Sequence, residues 1–376
     1  MSDSQNLIET PNLGGVPNLK QLILRHCTRL YKIHESLGNL KLLIRLDLNG
    51  CERLESFPHK INLESLEIFV LSGCSRLKKF PEIVGNMSRL SELYLNKTAI
   101  KDLPLFVEHL IGLIKLDLGY CKNLSSLPDA ICSLTSLKNL NLSGCSKLYI
   151  LPENLGNLEG LEELDLSETA IRELPSLNYL KVLYLHGCKE LSPKSSNKFL
   201  SFPLTHGRRS PNLMAMLEHS LSSLSSLTDL DLSYCNLQAI PYILGSMSSL
   251  KVLNLRGNNF VCLPKSIIEL SKLQRLYLSG CTSLQSLPKL PLSIKEIDAT
   301  ECTSLETLSL RPEDDFHPDF CLLNYEKLIE NQGYSDMLLT IDTLLTCDML
   351  LTMPRRYFIK VSLSLSLSLS LSHVKF

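Results

Sequence analysis

Tryptophan is missing from this 376-residue chain, and all aromatics together make up only 6% of it. Ordinary cores mix aromatic, branched and straight side chains to fill irregular space, so this shortage argues against such a core. A surplus of either charge is missing as well. Thirty-eight Lys and Arg against 39 Asp and Glu leave a formal net charge of -1, which removes the electrostatic case for a general nucleic-acid or anionic-membrane binder. No apolar run reaches the roughly 18 residues that a membrane helix needs. The opening MSDSQNLIETPNLGG has neither the basic nor the apolar region of a secretory signal. Thirteen cysteines contain no CxxC pair, a usage expected of a reduced, intracellular protein of the cytoplasm or nucleus. GxxxxGK[ST], GxSxG and HExxH do not occur, and the nine histidines show no ligand spacing. No cofactor, metal or catalytic residue is therefore expected. Cys321, with His317 nearby, is a weak nucleophile candidate because no third group orients the pair.

What the chain has is leucine, 85 residues of it, set in a repeating frame. LxxLxLxxC occurs at Leu19–Cys27, Leu113–Cys121, Leu137–Cys145 and Leu273–Cys281. Looser copies begin at Leu43, Leu66, Leu90, Leu161, Leu180, Leu227, Leu250 and Ile294. These twelve units, mostly 23 or 24 residues apart, have the period of leucine-rich repeats. In LxL both leucines point to one face of a short strand, and a unit this small must stack on its neighbours to bury them. The expected fold is an α/β solenoid over residues 1–308: a curved leucine-rich repeat horseshoe with a parallel β-sheet on its concave face and short helical or 3-10 turns on its convex face.

Nine cysteines fill the slot after the strand: Cys27, Cys51, Cys74, Cys121, Cys145, Cys188, Cys235, Cys281 and Cys302. Thr98, Thr169 and Asn258 take the same place. Small side chains able to hydrogen-bond suit a buried turn, so these thiols read as structural rather than as disulfides or metal ligands. A proline column (among others Pro104, Pro128, Pro152, Pro241 and Pro264) marks the passage to the far side, because proline resists incorporation in a sheet. Between residues 192 and 226 the frame lapses into an irregular loop or a degenerate repeat. It is rich in Ser and carries Lys194, Lys198, Arg208 and Arg209. Residues 362–376 hold an alternating Ser-Leu run that reads like a translated dinucleotide repeat. Residues 5–11 match the back half of a repeat, so the chain reads as a piece of a longer one.

The exposed face of the sheet carries the functional expectation, since such faces are extended binding surfaces. Its central column includes Asp47, Tyr94, Asp117, Asp165, Tyr184, Asp231 and Tyr277, with Arg45 and Arg256 in flanking columns. Tyr and Arg are enriched at protein–protein hot spots, and these nine residues are the candidate contacts for a protein ligand. The plainer alternative is that Asp and Asn simply keep an open sheet soluble.

Segments such as NLIETPNLGGVPNLKQLILRHCTRLYKIHESLGNL and CTSLQSLPKLPLSIKEIDATECTSLETL resemble the repeat region of plant TIR-type nucleotide-binding leucine-rich repeat immune receptors. The likeness covers roughly residues 1–308. FCLLNYEKLIENQGYSDM and Arg355–Phe358 resemble the opening of the jelly-roll or Ig-like domain that follows in that family, here over 309–361 and interrupted by a duplicated DMLLT. The resemblance implies a sensor that recognises a pathogen effector or a host protein and restrains a nucleotide-binding domain in the full-length relative. The TIR and nucleotide-binding domains are not in this chain, so their chemistry is not implied for it. A general scaffold for a host signalling protein, or the substrate-selecting repeats of a ligase using Cys321 or Cys347, remain the alternatives.

Overall fold

A computed structural model of the chain describes residues 2–188, 221–309, 318–322 and 359–361. It divides into two compact units, Met1–Leu237 and Gln238–Phe376. In the first, each repeat frame yields a three-residue strand, from Gln21–Ile23 and Arg45–Asp47 through to Val182–Tyr184 and Asp229–Asp231. Nine such strands pair in parallel and in register, so that Leu46, Phe69, Leu93 and Leu116 stack in one line. From Arg45–Asp47 onward the middle residue of each strand is buried, and most flanks are half-exposed, as an LxL strand packed on one side requires. The second unit repeats the arrangement with Val252–Asn254, Arg275–Tyr277 and Glu296–Asp298. Its sheet then gains Asp319–Leu322 in parallel, beyond the last frame legible in the sequence, and Ile359–Val361 in antiparallel. The repeat solenoid with its parallel sheet is thus present in each unit.

On the opposite side of the repeats, five 3-10 turns begin after proline: Leu105–His109, Asp129–Ser133, Glu153–Asn157, Tyr242–Ser246 and Lys265–Glu269. Proline fixes φ just outside the turn, and its carbonyl accepts the N–H three residues on, as Ile131 donates to Pro128 at 3.0 Å. Four prolines of the column, Pro58, Pro81, Pro175 and Pro288, are followed by no such turn. After Pro58 and Pro81 the chain forms a small parallel ladder, Lys60–Ile61 with Glu82–Ile83, where β-branched residues favour a strand. Ser286–Leu287 pairs with Thr307–Leu308 in the same way. Within the first unit, Phe57, Phe69 and Phe80 stack at ring separations of 5.8 and 5.7 Å. The few aromatics are thus partly gathered in one place.

The cysteine slot forms a ladder. All nine thiols are buried. Eight of them donate from Sγ, over 3.0–3.3 Å, to the carbonyl of the strand-end leucine one repeat earlier: Cys51 to Leu24, Cys74 to Leu48, Cys145 to Leu118 and so on to Cys302 and Leu278. Four of these carbonyls, Leu48, Leu118, Leu185 and Leu278, also accept the backbone N–H of their own repeat's cysteine, as Leu118 does from Cys121 at 3.1 Å. They are thus satisfied twice, as suits a buried turn. Thr169 and Asn258 bond instead to the carbonyl of their own repeat, Leu166 and Leu255.

The residue just ahead of this slot is left-handed in all twelve repeats. Six are glycine, and six are His26, Lys97, Tyr120, Glu168, Tyr234 and Glu301, with φ between 54 and 60°. Its N–H reaches the next repeat, as Gly144 donates to Ser167 at 2.7 Å. A side chain here costs roughly 1 kcal/mol or more in backbone strain. Residues 189–220, which include most of the frame lapse, lie outside the described residues, as do the DMLLT duplication and the Ser-Leu tail. Val182–Tyr184 nevertheless pairs directly with Asp229–Asp231, although 47 residues separate Val182 from Asp229.

Candidate binding face of the sheet

The outward residues of each strand stand between the buried leucines, and in register pairing sets them in columns across the sheet. Most Asp and Asn of the central column have a structural task. One oxygen of Asp117, Asp165, Asp231, Asn141 and Asp298 accepts the backbone N–H two residues on, at 2.8–3.1 Å. Short polar side chains close the strand end in this way. Solubility is therefore not the only reason for these acids. Asp117, Asp165 and Asp231 combine an internal role with half-exposure toward solvent.

Asp47 departs from the expectation of an exposed contact. Its side chain is 1% exposed. Oδ2 accepts Arg25 Nε at 2.9 Å, Arg25 Nη2 at 2.7 Å and Arg45 Nη2 at 2.8 Å. Burial acts to raise its pKa, but the hydrogen bonds from Arg25 and then Arg45 outweigh that and hold it below the usual carboxylate value. Asp47 presents two arginines rather than itself; the sequence places Arg25 in a flanking column of the face but does not reveal its pairing with Asp47. The pair borders a hollow of about 210 Å³ that also takes in Asn49, Ile68, Val70, Ser72, Glu92 and Tyr94. Tyr94 donates its hydroxyl to Glu92 at 2.9 Å. Burial and that carboxylate push its pKa up to about 12. Arg45, Asp47 and Tyr94 thus border one hollow.

Farther along the same sheet, a second hollow of about 130 Å³ is lined by Lys115, Asp117, Asn139, Asn141, Glu163 and Asp165. Burial raises the Asp117 pKa, with the Asp165 charge adding to it. Tyr184 lies in register between Asp165 and Asp231, and burial followed by the nearby Glu163 raises its hydroxyl pKa. The face of the first unit therefore changes from arginine-rich to acidic along its strands. In the second unit Arg256 stacks 4.5 Å from the Tyr277 ring centroid and donates to Asp298 at 2.6 Å.

Beside the face, at the left-handed positions, stand exposed Tyr120 and Tyr234. Tyr120 reaches Glu168 at 3.2 Å, and Tyr234 meets His186 edge-on at 5.4 Å. The glycine found in half the repeats at this position is the signal that would have revealed the column. Cys321 is half-buried on Asp319–Leu322, while His317 and Cys347 lie outside the described residues. Among the described residues no three His, Cys, Asp or Glu side chains come together as a metal site.

Residues 62–242 match the leucine-rich repeats described as disease resistance protein RPS4B-like, and residues 225–282 match the general leucine-rich repeat family. TMV resistance protein N of Nicotiana glutinosa is 40% identical over 311 residues, covering 79% of this chain and 25% of its own length. Disease resistance-like protein DSC1 of Arabidopsis thaliana is 37% identical over 82% of this chain and 24% of its own. The chain spans about a quarter of the length of these relatives. Among solved structures, a leucine-rich repeat protein of Leptospira interrogans is 26% identical, with a TM-score of 0.49, over 73% of this chain and 70% of that one.

Proposed function

From the premise that this chain is a leucine-rich repeat region related to those of plant TIR-type nucleotide-binding disease resistance proteins, we propose that it is a protein-binding sensor. Its ligand is a pathogen effector or a host protein, and in a longer relative it also contacts the nucleotide-binding domain. It works inside the plant cell without catalysis of its own; among the described residues no helix is long and apolar enough to cross a membrane. The observation that carries the reading is the identity to TMV resistance protein N over 79% of the chain. The columns of half-buried Asp, Tyr and Arg on an open sheet are the surface that such a role needs.

The test compares the whole chain with a variant carrying Asp117→Asn, Asp165→Asn and Tyr184→Ala. Asn keeps the oxygen that accepts the backbone N–H, so the charge is removed while the strand ends stay closed. Effector or host proteins co-purified from challenged plant tissue should be lost from the variant, with its thermal melt unchanged. A partner that is fully retained would count against the sheet face.

A further inference from the structure

We infer that the hollow beside Arg25 and Arg45 receives one carboxylate side chain, Asp or Glu, from a protein partner; this rests on the protein-binding reading above and gives that face a chemistry. An arginine fork usually spends its paired donors on the two oxygens of one acid. Here both guanidinium groups converge on a single oxygen of Asp47, whose other oxygen accepts the Asn49 N–H at 3.3 Å. The buried acid holds the two arginines in place, and among the described residues Nη1 of each makes no hydrogen bond. Their side chains remain 46% and 28% exposed. With Asp47 and Glu92 both in the lining, two positive charges face two negative ones, so what the hollow offers an acid is the unused Nη1 of each arginine rather than a net charge.

The rest of the lining fits a monoanion on an apolar stem. Ile68 and Val70 add apolar lining, and Tyr94 and Glu92 border the same hollow. A carboxylate has two oxygens, one for each unused Nη1, and brings one negative charge toward Glu92 where a dianionic phosphate would bring two. The same residue types recur in the second unit. Arg256, in the column of Arg25, donates to Asp298, in the column of Asp47, and stacks on Tyr277, while its buried Nε has no hydrogen-bond partner.

The test is selection from a displayed library of short random peptides against the whole chain. Binders of the wild type should be enriched in Asp or Glu at one position. Their affinity should fall roughly tenfold or more in R25Q/R45Q. Because that variant strands the Asp47 charge, R25Q/R45Q/D47N, which removes all three charges together, is measured beside it and should show the same loss. No acidic enrichment, or enrichment that survives in both variants, would overturn the inference. Binders without acidic enrichment that are lost on Asp165→Asn/Tyr184→Ala sink the carboxylate site and leave the protein-binding face standing. Binders indifferent to every one of these substitutions sink both.

Discussion

The thiol of a ladder cysteine acts through one hydrogen. Cys145 Sγ lies 3.2 Å from the Leu118 carbonyl and is fully buried. Cys145→Ala removes that donor and a sulfur's volume, and should destabilise the chain by about 1–2 kcal/mol. Cys145→Thr should recover most of the loss, since Thr98 and Thr169 already serve in the slot. Urea unfolding midpoints compare the three proteins; equal midpoints for all of them would refute a bonding role for the thiol. At the candidate site, residue identity said which side chains face outward but not what holds them. Asp47 stands in the same column as Asp117, yet of the two only Asp47 has arginines in its own and the preceding repeat to cover it. That difference depends on reach between repeats, which a column of letters does not record.

Among the elements, the strands were legible because LxL alternation has one solution when leucine must be buried, and twelve frames gave twelve strands. The thirteenth, Asp319–Leu322, buries Phe320 in register with Ile297 of Glu296–Asp298 but lacks the leucine frame, so periodicity could not reveal it. The far side was half legible. Proline foretold where the turn begins, but β-branched Ile61 and Ile83 redirected two repeats into a ladder. The 3-10 turns depend on close backbone approach. A Cβ built on Gly156 would stand 1.9 Å from the Ser176 carbonyl oxygen. Gly156→Ala should therefore cost roughly 1–3 kcal/mol through a forced shift of that turn, read as a lower thermal midpoint. Leu105, exposed on another turn of the same kind, should accept Leu105→Ala within about 0.5 kcal/mol.

Across the whole molecule the buried thiols set an alkaline limit. Burial pushes Cys51, Cys145 and Cys302 up to about 12 and Cys281 to about 11, from an ordinary value of 9.0. Below the ordinary value both folded and unfolded chains keep these protons, and nothing is lost. As pH rises above it the unfolded chain releases protons that the fold retains, so stability falls through the interval from 9.0 to about 12. Each such thiol should remove on the order of 1 kcal/mol at about pH 10. Unfolding of Cys145→Thr at about pH 8 and about pH 10 should show a smaller drop than the wild type; identical drops would refute the linkage. The left-handed column has a consequence of a different sort, for recombination. The Tyr120 ring lies where a Cβ on Gly144 would go, at 2.4 Å, and His26 covers Gly50 in the same way. A crossover that set the Tyr120 repeat against a neighbour with any side chain at that place would produce a clash in an otherwise correct array. Such repeats are exchanged at least cost together with the glycine that follows them, so at these places the favoured heritable module is two rungs long.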